Sequence, residues 1–346
     1  MKDGIGVGII GAGFIGVAHA RAIAQTPGVY VAAVCRRDPG EVAAFAAVHG
    51  GTAYTDYRDL LRDPAVAAVL VATPHHLHEV VACDAARAGR PIMLEKPMAP
   101  DVAACDRILA AVAQAGVLLM PGHTMRFTLG CRRAAEVVRR DGGGPVRYVS
   151  AAFAKPWMEP NRRDWHLRAD TGGGMLLTAG IHALDRAIFL GGRDVTHVSA
   201  IIETAFHDQA ADDAALLLLR FAGGGGAQVA SIGTRDGATV NTTEIYGAGA
   251  TWRLDFTEGL AKGCGGRWDR VPDSAEQDFG FRAICRQWAE FAAALRGEAA
   301  LPVTGEQGRH VIAVIQAAVQ SARLRREVAV EARPRGVGLG GVARSG

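Results

Sequence analysis

Residues 171–185 read TGGGMLLTAGIHALD. Three glycines lead into a segment carrying Thr178, His182 and Asp185 at spacings of four and three, which on a helix brings them roughly to one face. An imidazole, with an unperturbed pKa of about 6.5, can take and return a proton near neutrality. His182 is therefore the candidate acid/base; the competing reading is a satisfied histidine on a packed helix. Asp185 either orients that imidazole or makes a structural contact. Gly172, Gly173 and Gly174 either let the chain approach a ligand without Cβ clashes or form a loop before a helix. The second candidate is Lys96, in EKP just after a strand-like run. A lysine desolvated in a cleft shifts its pKa readily and can donate to a reacting oxygen. The competing reading is an exposed lysine paired with Glu95.

These residues need elements to position them, and the first half of the chain supplies a recognisable set. Ile5 to Ile10 is a glycine-diluted apolar strand, followed by Gly11-Ala12-Gly13-Phe14-Ile15-Gly16, an Ala-rich helix to about Gln25, and the strand VYVAAVC. G-x-G-x-x-G between a strand and a helix is the pattern of a dinucleotide site. Gly11 permits the tight turn, Gly13 lets backbone approach a pyrophosphate, and Gly16 lets helix and strand pack closely. The helix N-terminus offers free N–H groups to phosphates. At the end of the second strand an NAD site usually carries an acid for the ribose 2′-OH. Here the chain reads Cys35-Arg36-Arg37-Asp38. Guanidinium groups suit a 2′-phosphate, so NADP(H) is expected over NAD(H); Asp38 could still reach a 2′-OH, and Arg37 could be a loop cation.

The alternation continues with helices near 57–62, 76–88 and 100–115 and with strands AAVLVAT, PIMLEK and VLLMPGH. Such alternation implies a parallel sheet covered on both faces, with ligands beyond the strands' carboxyl ends. Thr73-Pro74, Glu95-Lys96-Pro97 and Gly122-His123 lie at those ends. His76 and His78 are expected to line or support the cofactor cleft. H-H-x-H at a helix start lacks the convergent ligands and outer partners of a metal site, so none is expected. Before the glycine run come Arg126, Trp157, Arg162, Arg163, Trp165, His166 and Arg168, candidates for stacking on a ring or clamping an anion.

The second half reads as successive strands, VRYVSAAFA through ATWRLDF, with the Gly223–Gly226 run as a hairpin turn. Two long helical patterns follow near 281–296 and 305–325. The 346 residues suggest two domains. A net charge of +3 with scattered arginines excludes nucleic acid as a first choice. No apolar stretch reaches membrane-spanning length. Six cysteines without C-x-x-C pairs, and a short polar lead in place of a leader, fit a reducing cytoplasm.

The ordered motifs GIIGAGFIG, VATPHHLH, AGRPIMLEKPMA, MRF, GGGMLLTAGIHALD and AVIQAAVQSARLRREVAV resemble those of the glucose–fructose oxidoreductase / inositol dehydrogenase / rhizopine-catabolism family (Gfo/Idh/MocA). The resemblance covers the chain to about residue 331. It implies an α/β fold: a Rossmann NAD(P)-binding domain (1–125), then a substrate-binding and oligomerisation domain (126–332) with a large open, mostly antiparallel sheet, then a flexible tail (333–346). It implies hydride transfer between NAD(P) and a secondary alcohol or ketone of a sugar, polyol or related ring. Lys96 would sit beside the nicotinamide, His182 would be the acid/base, and the Lys96–Pro97 bond would often be cis. The open sheet would pair subunits into a homodimer or homotetramer. Thr178 departs from the pattern, because many of these dehydrogenases carry Asp there. A threonine removes one charged anchor for a substrate hydroxyl. Two other outcomes stay open: a non-catalytic NAD(P)-binding regulator, or a reductase of an imine or conjugated ring at the same site.

Overall fold

The computed structural model describes residues 4–141 and 144–332; the expected tail, 333–346, lies outside the described residues. In the first half, strands β1 (Ile5–Ile10), β2 (Val29–Cys35), β3 (Thr52–Tyr54), β4 (Ala68–Val71), β5 (Ile92–Glu95) and β6 (Leu119–Gly122) alternate with helices. The helices are α1 (Phe14–Ile23), α2 (Pro39–His49), α3 (Tyr57–Arg62), α4 (His78–Arg87) and α5 (Val102–Ala115). The strands form one parallel sheet in the order β3-β2-β1-β4-β5-β6. AVLV and IMLE, buried at every position, are central strands covered on both faces. Asp38 and Asp101 accept hydrogen bonds from the third residues of α2 and α5, which fixes where those helices start. The order reverses at β1, so the crevice beyond its carboxyl end is the topological binding point.

The second half begins with α6 (Leu129–Asp141), β7 (Tyr148–Pro156) and α7 (Ile181–Gly191). Strands β8 (Val195–Glu203), β9 (Ala214–Phe221), β10 (Gly226–Thr234), β11 (Val240–Tyr246), β12 (Thr251–Asp255), β13 (Gly259–Cys264) and β14 (Arg267–Arg270) follow. Then come α8 (Phe279–Leu295), α9 (Gly305–Leu324) and β15 (Val328–Ala329). The nine strands make one sheet, β14-β13-β12-β11-β7-β10-β9-β8-β15, antiparallel except where β7 meets β10. The hairpin between β9 and β10 turns through the glycine run, as the sequence predicts. One face of the sheet packs on α7 and α9. The other carries Tyr148, Ile201, Leu216 and Leu218 at 50–62% exposure, an apolar patch with no cover in the single chain.

The chain then returns to its beginning. Ile284, Trp288 and Phe291 of α8 share a core with Val7, Ile9, Met93 and Met120 of the parallel sheet and with Ile23 of α1. Gly308 of α9 lies so close to Pro121 that an added Cβ would stand 2.8 Å from its ring. The last two helices thus complete the packing of the first domain, and the strand ends that form the cleft are held from both halves of the sequence.

Candidate active site

The glycine loop fits a dinucleotide on its own geometry. Gly11 has φ 105, and a Cβ there would meet the Ala72 carbonyl at 2.4 Å; a Cβ on Gly16 would meet the Gly11 carbonyl at 2.5 Å. A Cβ on Gly13 would meet nothing within 4 Å. Gly13 is also the N-cap of α1 and makes no side-chain cap, so the first N–H groups of the helix face open space beside it. Two glycines close the turn and the third leaves room for a pyrophosphate. Phe14 is 75% exposed and Ile15 half-buried at this helix entrance. Arg36 donates from Nη1 to the Ala12 carbonyl at 2.9 Å and pairs through Nε with Glu41 at 2.5 Å, which holds its guanidinium against the loop. Arg37 is exposed, and Asp38 is engaged as the α2 cap.

Along the strand ends, Thr73 has a buried hydroxyl without a partner and follows β4 into Pro74. His78 bridges its carbonyl (2.9 Å) to that of Pro97 (2.8 Å), fastening the turn after β4 to the turn after β5. His76 is exposed. His75, which the sequence reading left unassigned, is buried and donates from Nδ1 to the Gly172 carbonyl at 2.6 Å, joining the first domain to the glycine run. Glu95 is buried and accepts from His19 at 2.9 Å and from the Lys96 amide at 3.2 Å. The Lys96–Pro97 bond is cis.

Lys96 reaches across the cleft. Its Nζ donates to the main-chain carbonyl of Thr178 at 2.6 Å. Burial pulls the ammonium pKa down; Glu95 opposes this, and Arg162 and Lys155 add to it. Residues Leu176–Gly180 form a π-helical turn ahead of α7, a local irregularity frequent at functional sites. That turn breaks the regular phase assumed between Thr178 and the pair His182 and Asp185, which both lie on α7. Thr178 offers Lys96 its carbonyl, while its own hydroxyl is buried without a partner. His182 is half-buried and packs edge-on to Phe153 at 6.4 Å. Burial, then Lys96, Arg186, His123 and Lys155, hold its pKa well below 6.5, so the ring is neutral at neutral pH.

Asp185 takes the structural role of the two open to it. It is fully buried and binds Arg126 through Nε (2.9 Å) and Nη2 (2.6 Å), with His123 Nδ1 at 3.3 Å. Arg126 also donates to Gln307 at 2.8 Å, so its guanidinium is committed to partners within the protein. Trp157 is likewise wholly buried, its Nε1 donating to Gln209 at 2.8 Å. Arg163 is exposed at the rim. Trp165 is half-buried, stacked on His166 (3.6 Å) and edge-on to His75 (4.7 Å). The glycine run serves packing of the protein on itself. A Cβ on Gly173 would lie 2.4 Å from the His166 carbonyl, and one on Gly174 would lie 2.2 Å from Asp212 Oδ1. Asp212 in turn accepts the Leu176 amide at 2.8 Å and so starts the π turn. No isolated pattern announces Asp212, His75 or Phe153, because their partners lie tens of residues away. Among the described residues no three His, Cys, Asp or Glu side chains converge as a metal site.

The buried histidines predict an acid-labile fold. Burial lowers the pKa of His123 and of His166 to about 4, and lowers those of His75 and His182 in the same direction. Their folded values lie below the unfolded one, so the stabilising effect is complete above about pH 6.5 and is lost as pH falls toward 4. Asp212, raised to about 6 by burial, works in the opposite sense below that pH. For His123 alone the shift corresponds to about 3 kcal/mol. Urea denaturation from pH 7 to 4.5 should show a steep loss that is visibly shallower in His123→Asn. Parallel curves for the two proteins would contradict this account.

Residues 5–123 match the oxidoreductase family with an NAD-binding Rossmann fold, GFO_IDH_MocA, and residues 131–253 match the GFO/IDH/MocA C-terminal domain. An oxidoreductase of Bacillus subtilis, YrbE, is 30% identical over 65% of this chain and 66% of its own length. Levoglucosan dehydrogenase of Pseudarthrobacter phenanthrenivorans is 30% identical over 58% of this chain and 54% of its own. The matches therefore span about half to two thirds of the curated relatives' lengths. The structure of GenD2, from gentamicin A biosynthesis, in complex with NAD is 25% identical and superposes with a TM-score of 0.85 over 96% of this chain and 98% of that one. No helix among the described residues is long and apolar enough to cross a membrane. With a dinucleotide loop at the sheet's reversal point and an antiparallel second sheet closing the cleft, the chain belongs to the Gfo/Idh/MocA oxidoreductase family and carries its NAD-binding Rossmann domain.

Proposed function

We propose that the protein is an NAD(P)-dependent oxidoreductase acting on a secondary alcohol or ketone of a sugar, polyol or related ring. The observation that carries this reading is the meeting of Lys96 with the turn that leads into His182, across the cleft from the glycine loop. It is supported by the names of similar proteins, an oxidoreductase and a levoglucosan dehydrogenase. When bound, the nicotinamide supplies the hydride acceptor or donor. The protein's own groups do the rest. Lys96 exchanges its Thr178 carbonyl for the substrate oxygen and holds that oxygen in place. His182, neutral beforehand, takes the hydroxyl proton during oxidation and returns it to the carbonyl oxygen during reduction. Thr178 and Trp165 flank the substrate, with Arg163 at the rim. Arg126 and Trp157 act behind this layer, through the contacts described above. The apolar face of the nine-stranded sheet is the surface through which we expect a homodimer or homotetramer to form. The six free cysteines are in keeping with a cytoplasmic setting.

We further propose NADP(H) over NAD(H). Arg36 stands where an acid would bind a ribose 2′-OH, and it is held against the glycine loop. A charge-assisted contact to a 2′-phosphate contributes about 1.5–3 kcal/mol. Arg36→Ala should therefore lower kcat/KM for NADP by about 10- to 100-fold while leaving NAD nearly unchanged. The measurement is a spectrophotometric screen of polyols, sugars, ketosugars and imines with each cofactor, Lys96→Ala serving as the blank. A wild-type preference for NAD of more than about tenfold, or 1.4 kcal/mol, would overturn the cofactor assignment. Turnover undiminished in the Lys96→Ala blank would overturn the mechanism.

A further inference from the structure

Behind Lys96, on the side away from the cleft, lies a buried chain of three polar groups drawn from three distant parts of the sequence. Trp288 Nε1, on α8, donates to His19 Nδ1 at 2.9 Å. His19 Nε2, on α1, meets Glu95 Oε1 at 2.9 Å. The other oxygen, Glu95 Oε2, accepts the main-chain N–H of Lys96 at 3.2 Å. Trp288, His19 and Glu95 are 1%, 0% and 5% exposed.

The chemistry of the donors sets the protonation pattern. An indole nitrogen can only donate. His19 Nδ1 must therefore present its lone pair, and the ring's single proton sits on Nε2, pointing at Glu95. A second proton on Nδ1 would place two donors head to head in a dry site, where an unsatisfied polar group is costly. Trp288 thus holds His19 in one tautomer. Glu95, with one N–H from His19 and one from Lys96, is held as a carboxylate in a single orientation.

We propose that Trp288 and His19 are positioning residues for Lys96: helix α8 fixes the His19 tautomer, His19 fixes the Glu95 carboxylate, and Glu95 fixes the main chain and the charge environment of the lysine. The role assigned to Lys96 rests on the oxidoreductase reading above; the relay itself does not. It also gives a function to the return of α8 onto the first domain. The adjacent residue, Gln287, accepts from Thr124 at 2.9 Å and reaches Met93, so the same helical turn braces β5 and the segment after β6. The effect on Lys96 is electrostatic. Glu95 is the main group opposing the fall of the lysine pKa. The other titratable groups acting on this pair are His75, His78 and His123 from the first domain, and Lys155, Arg162, His166 and His182 from the second. None of these carries a negative charge, so Glu95 has no substitute.

The test needs no substrate. In wild-type protein the His19 imidazole, assigned in 15N-edited spectra by its loss in His19→Gln, should show the Nε2–H tautomer at neutral pH. In Trp288→Phe that single tautomer should give way to a mixture, because Nδ1 is released from its only donor. The pKa of the Lys96 amine, read by competitive acetic anhydride labelling against pH, should fall by up to about one unit in His19→Ala, because Glu95 loses the N–H that favours its charged form and fixes its orientation beside the lysine. Trp288→Phe should show a fall in the same direction, because the tautomer that presents Nε2–H to Glu95 is no longer enforced. His19→Gln, which keeps an N–H donor for Glu95, should restore the wild-type value. Trp252→Phe is the packing control, since that indole is equally buried and its Nε1 has no partner. An imidazolium or an Nδ1–H tautomer in the wild type at neutral pH would overturn the proposal. So would an equal Lys96 shift in Trp252→Phe, or no shift in His19→Ala. A protein that passes these tests yet oxidises and reduces nothing would refute the hydride-transfer reading and leave the relay standing.

Discussion

Replacing Lys96 or His182 with alanine should each lower kcat by about 100- to 10,000-fold, the usual range for removing a positioned proton-transfer group. The two losses should arise differently. Without Lys96, the substrate oxygen loses the donor that steadies its developing charge, an effect made large by the low dielectric of the cleft. Without His182, the hydroxyl proton has no positioned acceptor. Because both residues act on one oxygen, the double variant should be little worse than the poorer single one. His182 is neutral before substrate binds, so the rate of alcohol oxidation should fall only at pH values below the ordinary histidine range. Steady-state kinetics of the three variants on any substrate found in the screen would check this. Independent, multiplicative losses would show that the residues do not work as a unit. Retention of wild-type kcat in both single variants would end the mechanism.

The second large effect is on stability. Asp185→Ala should destabilise the fold by about 3–5 kcal/mol, since it leaves Arg126 buried without its counter-charge. Replacing both partners by apolar residues of similar volume should recover much of that loss. Burial pushes the Asp185 carboxyl up, but Arg126, His123 and Arg186 together outweigh it and hold the pKa below the ordinary value. This contribution is present above about pH 4 and disappears only below it. It is thereby separable from the histidine effect, which begins near pH 6.5. Urea unfolding at pH 7 measures the loss directly. A cost below about 1 kcal/mol would mean that the pair is solvated in solution and does not anchor α7. Per folded molecule, kcat should fall far less than in His182→Ala, because Asp185 holds Arg126 and not the imidazole proposed to exchange the proton.

Local pattern was sufficient wherever function depends on neighbours in the chain. The G-x-G-x-x-G loop was readable because its turn, its close helix contact and its open backbone are set within six residues. The parallel sheet was readable because AVLV and IMLE are uniformly apolar, as strands covered on both faces must be. Lys96 was readable because a strand end in a doubly wound sheet is a cleft position by topology. Periodicity holds for His182 and Asp185 on α7 but not for the phase of Thr178 relative to them. It assumes a constant 100° step, and the π turn at Leu176–Gly180 breaks that step for a reason outside the segment, the Asp212 carboxylate that starts the turn. Arg126 and Trp157 had the right chemistry for a ligand, but sequence carries no information about which guanidinium already has a buried carboxylate.

The amino-acid sequence by itself determined the two-domain α/β plan, the dinucleotide loop and the residues able to handle a proton and a hydroxyl. These follow from local sterics, hydrophobic period and side-chain chemistry. Only the tertiary structure decided which of those side chains face the cleft. It placed the Thr178 carbonyl opposite Lys96, committed Asp185 to Arg126, and ran Trp288, His19 and Glu95 into one chain behind the lysine. Each of these joins residues from 59 to 269 positions apart. Contacts at that separation are set by how the two sheets and the returning helix α8 pack together, and no local rule specifies that packing.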